Sequence, residues 1–325
     1  MDLRIATFNL ENWDDKPGQL PTLAERIAVV RPMIERANAE VLCLQEVNGQ
    51  EQPGQPRALL AVEQLIQGTR YAPYHLATTR LLNGVDVYDE RNLVILSQFP
   101  ILQSFQFKHD FAPAPQYRKI TATPAETQAK DVEWERPALY AKLDVAPNLA
   151  LHVVNVHLKS RLPSSIAGQQ INEFTWRTIS GYAEGFFLSA VKRVGQALEV
   201  RMFLETLFDQ DPNASIVICG DFNADLDEVP LQAIRGDVED TGNGALAGRV
   251  MVPCERTVPE SARFTLYHHG RPSMLDHVLF SRPMLKHYRS TEIHNELLHD
   301  ESTAFAFDTK FPEPDHSPVI ARFEI

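Results

Sequence analysis

Gly220-Asp221-Phe222-Asn223 directly follows the apolar run Ile216-Val217-Ile218-Cys219. A short buried strand there carries an aspartate and an asparagine, two positions apart, to its carboxyl end. The two-residue period of a strand points both side chains to one face. Ligands of sheet proteins bind where strands end, so the pair is placed for chemistry. Read alone, a polar strand end before a turn is the competing, less favoured reading. Five more polar groups occupy comparable places: Asn9 with Glu11 and Asn12, Gln45-Glu46, Asn155-Val156-His157, Asp276-His277 and Asp315-His316. Glu46 is a candidate ligand for a hard cation, because magnesium prefers carboxylate oxygen and takes few protein carboxylates. Alternation places Asn155 and His157 on one face of a strand. Adjacent strand residues point oppositely, so His316 needs a carboxylate from another strand, and Asp276 is the leading candidate. Such a partner fixes the ring's tautomer and supports its charged form. The inventory is carboxylates, amides and histidines, with no suitable serine or cysteine nucleophile. It suits metal-assisted hydrolysis better than covalent acyl transfer, and phosphate esters are its natural substrates.

The elements that must position these groups are legible as apolar runs. Leu3 to Phe8 reads as a strand ending at Asn9, and Val41 to Leu44 as a second. Leu23, Ile27, Val30 and Ile34 recur at helical spacing, with Pro32 predicting a kink or two shorter pieces. Leu59, Val62 and Ile66 suggest a second helix. Further strands are expected over 92–97, 138–145, 151–158, 216–219, 273–280 and 318–323. A long helix is marked by Val191, Val194, Leu198 and Met202. Residues 108–131 read as a long loop or ribbon, and 159–185 as polar and irregular. Strands and helices interleave without a regular βαβ series, which predicts stacked mixed sheets covered by helices in one domain over 1–325.

The chain has 325 residues and a formal net charge of −12, which argues against binding nucleic acid mainly through a basic surface. It does not exclude a nuclease, because bound divalent cations change the local field. The three cysteines have no metal-site spacing and read as reduced structural thiols. No segment approaches the ~20 apolar residues that cross a bilayer, so no stable membrane insertion is expected. The amino terminus lacks a signal-peptide pattern, so a cytoplasmic location is expected, with secretion left open. Oligomeric state is not legible.

Six segments, in order, resemble the endonuclease/exonuclease/phosphatase superfamily with its deoxyribonuclease-I-like fold. They are Ile5-Ala6-Thr7-Phe8-Asn9, Leu44-Gln45-Glu46-Val47, Asn155-Val156-His157-Leu158, Gly220-Asp221-Phe222-Asn223, Leu275-Asp276-His277-Val278 and Asp315-His316-Ser317-Pro318. The resemblance implies a four-layer α/β/β/α sandwich, two packed mixed sheets flanked by helices. It implies a magnesium- or manganese-dependent hydrolase of phosphoester bonds. Carried over by position, Glu46 looks like the principal metal ligand, with Asn9 and Asp315. Asp221 resembles the group that orients or deprotonates water, and Asn223 one that holds the phosphate or that aspartate. His316, polarised by Asp276, resembles a donor to a phosphoryl oxygen, and His157 a second histidine at the phosphate or leaving group. Arg136 matches a substrate-contacting arginine loosely, and Glu90 is a candidate support for His157. His277 stands where many members carry an aromatic or an arginine, which disfavours the inositol polyphosphate 5-phosphatase branch.

The leading expectation is a phosphodiesterase acting on a nucleic acid or nucleotide. The alternative is a phosphomonoesterase or a phospholipid headgroup phosphodiesterase. The lipid version predicts an exposed apolar hairpin, for which Phe99, Phe105, Phe107, Phe111 and Tyr117 are candidates; core residues are the competing reading. A non-catalytic binding protein is disfavoured, since every expected polar position is filled. In the 159–185 segment, Lys159, Arg161 and Arg177 offer charge for phosphates and Trp176 an aromatic face for a base. Trp176 as the plug of a small local core is the equal alternative.

Overall fold

The structure is a computed structural model that describes residues 1–306 and 310–325. In chain order its main elements are β1 (Asp2–Trp13), α1 (Leu23–Ala37), β2 (Val41–Val47), α2 (Leu60–Ile66), β3 (His75–Thr78), β4 (Asn92–Ser97), β5 (Ile101–Phe107), β6 (Ala138–Ala146), β7 (Leu149–His157), α3 (Ile179–Gln210), β8 (Ser215–Asp221), α4 (Val229–Arg235), β9 (Met251–Pro253), β10 (Asp276–Ser281), β11 (Tyr288–Ile293) and β12 (Val319–Glu324). They form two six-stranded sheets, ordered β11-β12-β1-β2-β4-β3 and β9-β10-β8-β7-β6-β5. Each has one central parallel pair, β1 with β2 and β7 with β8, among antiparallel neighbours. A helix makes each parallel crossover: α1 in the first sheet, α3 in the second.

Three apolar clusters separate four layers, as the sandwich expectation requires. Leu3, Ile5, Cys43 and Ile95 of the first sheet meet Leu139, Val153, Val217 and Phe280 of the second. The outer face of the first sheet packs on α1 and α2 through Phe8, Leu42, Val30 and Ile34. The outer face of the second packs on α3 and α4 through Val154, Ile218, Phe203 and Leu231. Both central pairs are buried on two faces, which is why their strands read as unbroken apolar runs.

Several expectations need correction. Pro32 does not split α1, which runs unbroken from a Thr22–Glu25 capping box to Asn38. Pro32 and Ala28, whose carbonyl loses its helical partner, both lie on the exposed face, where that oxygen is open to solvent. Strand β1 continues past Asn9, with Glu11 and Asn12 in the left-handed region and a register shift before Trp13. The strand expected over 273–280 begins only at Asp276. Within 159–185 there is a small hairpin, Gln170–Asn172 with Thr175–Trp176, and α3 already starts at Ile179. Its first turns hide from a periodicity reading because they are inverted. Gly181, Glu184 and Gly185 face inward, while Ile179, Tyr182, Phe186 and Phe187 face solvent. Gly185 is required by close packing: a Cβ there would meet the Ser164 carbonyl at 2.5 Å and the Trp176 ring at 2.7 Å. The aromatic run from 99 to 117 is no exposed hairpin. Phe99 and Phe107 are buried, and Phe105 and Phe111 pack with Phe203. No helix of the described residues is long and apolar enough to cross a membrane.

Candidate active site

The carboxyl ends of β1, β2, β7 and β8 meet at one edge of the sandwich, where Asp221 is the hub. Its Oδ2 lies 3.1 Å from Asn9 Nδ2, 3.4 Å from His157 Nε2 and 4.0 Å from His316 Nε2. Its Oδ1 accepts the Asn223 backbone N–H at 2.8 Å. The strand reaches this point through Gly220, where a Cβ would collide with the Val156 carbonyl at 1.9 Å. No larger residue lets β7 and β8 pair while delivering Asp221. Burial raises the Asp221 carboxyl to about 7, with the charges of Asp276 and Glu46 adding to the rise and His316 opposing it.

Glu46 follows the buried half of β2 and has φ 56°, a left-handed conformation that non-glycine residues adopt at a cost of roughly 1–3 kcal/mol. That turn aims its carboxylate inward. Oε1 lies 3.4 Å from Asn9 Nδ2 and 3.6 Å from His157 Nε2, and Oε2 accepts Asn12 N–H at 3.0 Å. Asp315 belongs to the same acidic group, and its backbone N–H donates to Glu11 Oε2 at 3.2 Å. Burial, reinforced by neighbouring Glu11 and Glu46, pushes the Asp315 carboxyl well up.

His316 and Asp276 are joined as the sequence suggests, Nδ1 to Oδ2 at 2.6 Å. Burial works against charge on this imidazole, but the Asp276 carboxylate wins and raises it well above the usual histidine range. His316 is therefore an imidazolium with Nε2–H turned to Asp221. His157 is the opposite case. Burial and the adjacent Arg136 guanidinium depress it strongly. Arg136 sits against its Nδ1, so the ring is neutral and carries its proton on Nε2, facing Asp221 and Glu46.

One expected support is not made, and one expected contact is made by the backbone rather than the side chain. Glu90 is bound to Lys16 at 3.4 Å, and the residue against His157 Nδ1 is Arg136. Asn223 has φ 50° and does not share a strand face with Asp221. Its side-chain amide donates to Leu158 O at 3.0 Å, so its backbone, not its side chain, holds Asp221. Trp176 packs beside Tyr182 and on a small core containing Ile166 and Leu188.

Other residues gain a place that sequence reasoning missed. Arg26 is buried, donates to Leu10 O at 2.7 Å and sits in the field of Glu11, Glu46 and Asp315. Its signal was a charge on the buried stripe of α1, three residues after Leu23. Asn155 does not face the site's chemistry; it ties the sheets together. His277 is fully buried between Glu255 Oε1 at 2.5 Å and the Ala224 carbonyl at 2.8 Å, steadying the turn after Asp221.

A cation would find hard donors here: the carboxylates of Glu46, Asp315 and Glu11, with Asp315 Oδ1 buried and unpartnered among the described residues. Asn9 turns its NH2 toward the carboxylates and its oxygen to the Glu11 N–H at 2.9 Å, so ligation through Asn9 requires its amide to turn over. Among the described residues, Asp221, Asp276 and His316 are the one trio of carboxylates and histidines whose ligand atoms all lie within 4.8 Å of one another, and Asp276 Oδ1 is likewise buried and unpartnered. That trio is the poorer fit, because its imidazole is a cation already bonded to Asp276.

The comparisons agree with this architecture. The model of the Endonuclease/Exonuclease/phosphatase family matches residues 6–297. The chain belongs to that family. No curated protein sequence matches it. Truncated TDP2 from Caenorhabditis elegans is similar at TM-score 0.58 and 15% identity, covering 100% of this chain and 98% of that one. An AP endonuclease from Archaeoglobus fulgidus is similar at TM-score 0.52 and 14% identity, covering 99% and 100%. A 3′ phosphatase from Neisseria, solved with a product DNA hairpin, is similar at TM-score 0.53 and 15% identity, again covering 99% and 100%. At such identities these likenesses show the shared fold. Family membership makes this chain a hydrolase of phosphoester bonds.

Proposed function

We propose that the protein is a magnesium- or manganese-dependent phosphodiesterase of nuclease type. The observation that carries this is the convergence on Asp221 of three donors from distant parts of the chain, Asn9, His157 and His316, beside the Glu46–Asp315 acidic group. In this reading Glu46 and Asp315, with Glu11, hold the cation, which supplies positive charge to the phosphoryl oxygens. Asp221, near 7, takes a proton from the attacking water while Asn9 and the Asn223 N–H hold its carboxylate. His316 donates Nε2–H to a phosphoryl oxygen, its charge maintained by Asp276. His157, held by Arg136, offers a neutral Nε2–H to the same Asp221 oxygen that His316 approaches.

The test is hydrolysis of DNA, RNA and bis(p-nitrophenyl) phosphate with magnesium, with manganese and with chelator. Asp221→Asn and His316→Ala should each lose roughly two or more decades of turnover. Turnover of no ester, or turnover indifferent to chelator, would reject the proposal. One observation favours a second reading, a phospholipid headgroup phosphodiesterase: the exposed stripe of Ile179, Tyr182, Phe186 and Phe187 on α3. Metal-dependent release of headgroup from vesicles, without cleavage of nucleic acid, would select it.

A further inference from the structure

A cavity of about 850 Å³ opens beside the catalytic cluster, between the Tyr117–Lys130 ribbon, the 170–176 hairpin and the first turns of α3. That is the size of a site for a nucleotide-sized ligand. Arg91 and Lys159, whose charges both bear on His157, are among its lining residues. Glu135, which also lines it, pairs with Arg136 at 3.6 Å, and Arg136 sits against His157 Nδ1, so the cavity adjoins the catalytic cluster.

Its lining selects the kind of group it suits. Five basic and five acidic side chains contribute, a formal sum of zero. Several are mutually paired: Lys130 with Glu126 at 3.3 Å, and Lys192 with Glu135 at 3.2 Å. A channel for a polyanion needs unpaired cations along its length, so this is no track for a phosphate backbone. Between these charges Tyr117, Phe174, Trp176 and Tyr182 give the wall aromatic surface. Trp176 is anchored by the missing Cβ of Gly185 and meets the Tyr182 ring edge-on at 5.9 Å. Ser165 and Gln170 add hydrogen-bonding groups. An uncharged, planar ligand that carries donors and acceptors matches all of these features.

We propose that this cavity is a base subsite, which takes the nucleobase attached to the scissile phosphate and stacks it on Trp176. The inference rests on the phosphodiesterase reading for its purpose but not for its measurement. Trp13 and Trp134 are buried, at 0% and 2% exposure, so Trp176 is the tryptophan a ligand in the cavity can reach. Adenosine and uridine, which carry no phosphate, should quench the intrinsic fluorescence saturably, and Trp176→Phe should abolish that signal. Kinetically, thymidine 5′-(p-nitrophenyl phosphate) should be preferred over methyl p-nitrophenyl phosphate in kcat/KM, the two diesters sharing one leaving group. Trp176→Ala should lower that preference by roughly ten-fold, the scale of one base–aromatic stack, while Trp176→Phe retains most of it. Tyr182→Ala should lower it in the same direction, which guards against loss of folding in the tryptophan variant. Absence of both nucleoside quenching and thymidyl preference overturns the proposal, as does an equal loss on both diesters in a folded Trp176→Ala protein. Nucleoside quenching without diester hydrolysis upholds the subsite and removes the phosphodiesterase reading instead.

Discussion

Asp276 and His316, forty positions apart, are joined by a 2.6 Å hydrogen bond that makes the imidazole a buried cation. The carboxylate raises the ring's proton affinity, so the donor form persists above the usual histidine range and is lost as pH rises through the elevated value. Asp276→Asn removes that support. The alkaline limb of the pH–rate profile should move toward lower pH, with turnover down by about two decades. An unmoved alkaline limb in a folded Asp276→Asn protein would show that His316 is not the group titrating there.

The acidic group around Glu46 should reveal a cation without any assay of activity. Millimolar magnesium or manganese should raise the thermal midpoint by several degrees, as for a ligand at about a hundred times its dissociation constant. Glu46→Gln and Asp315→Asn should remove this increment. Asp315→Asn should also stabilise the metal-free protein, because it deletes a buried carboxylate with an unpartnered oxygen. Retention of the increment in both variants, with its loss in Asp276→Asn, would move the cation to the Asp221–Asp276–His316 trio.

Asn155 lies in a motif shared with His157, yet its side chain is a rivet between sheets. Nδ2 donates to Leu44 O at 3.0 Å and to Val94 O at 2.9 Å, and Oδ1 accepts Gln45 Nε2 at 2.7 Å. Asn155→Leu leaves these partners buried and unsatisfied and should cost about 2–4 kcal/mol in urea unfolding, with an unchanged m-value. A loss of activity without a loss of stability would return Asn155 to the chemistry.

His152 provides a pH dependence of folding remote from the site. Burial lowers its pKa to about 4, and its Nδ1 lies 2.8 Å from the Tyr140 hydroxyl. Between pH 6.5 and about 4 the unfolded chain binds a proton that the folded chain refuses, so stability falls as pH falls through that window. His152→Phe should lose less stability than the wild type between pH 7 and 4.5, measured by urea midpoints. Equal losses would exclude this histidine as a source of the acid sensitivity.

Much of this was readable along the chain. Buried strands announce themselves as apolar runs, and the polar groups that interrupt them sit at strand ends. Those two facts brought out the layered sheets and most of the converging cluster. The Asp276–His316 pair followed from the alternation of side chains across a strand. Alternation failed at Glu11, Glu46 and Asn223, which occupy left-handed or bulged positions, and these cluster at the site. Partnerships across the fold were not readable: Arg136 rather than Glu90 beside His157, Asn155 on the opposing sheet, the inverted start of α3. Periodicity is a property of one segment and its own backbone. Which face meets a neighbour, and which charge stands against a given ring, depends on how distant segments pack, and that information enters only when the layers close on one another.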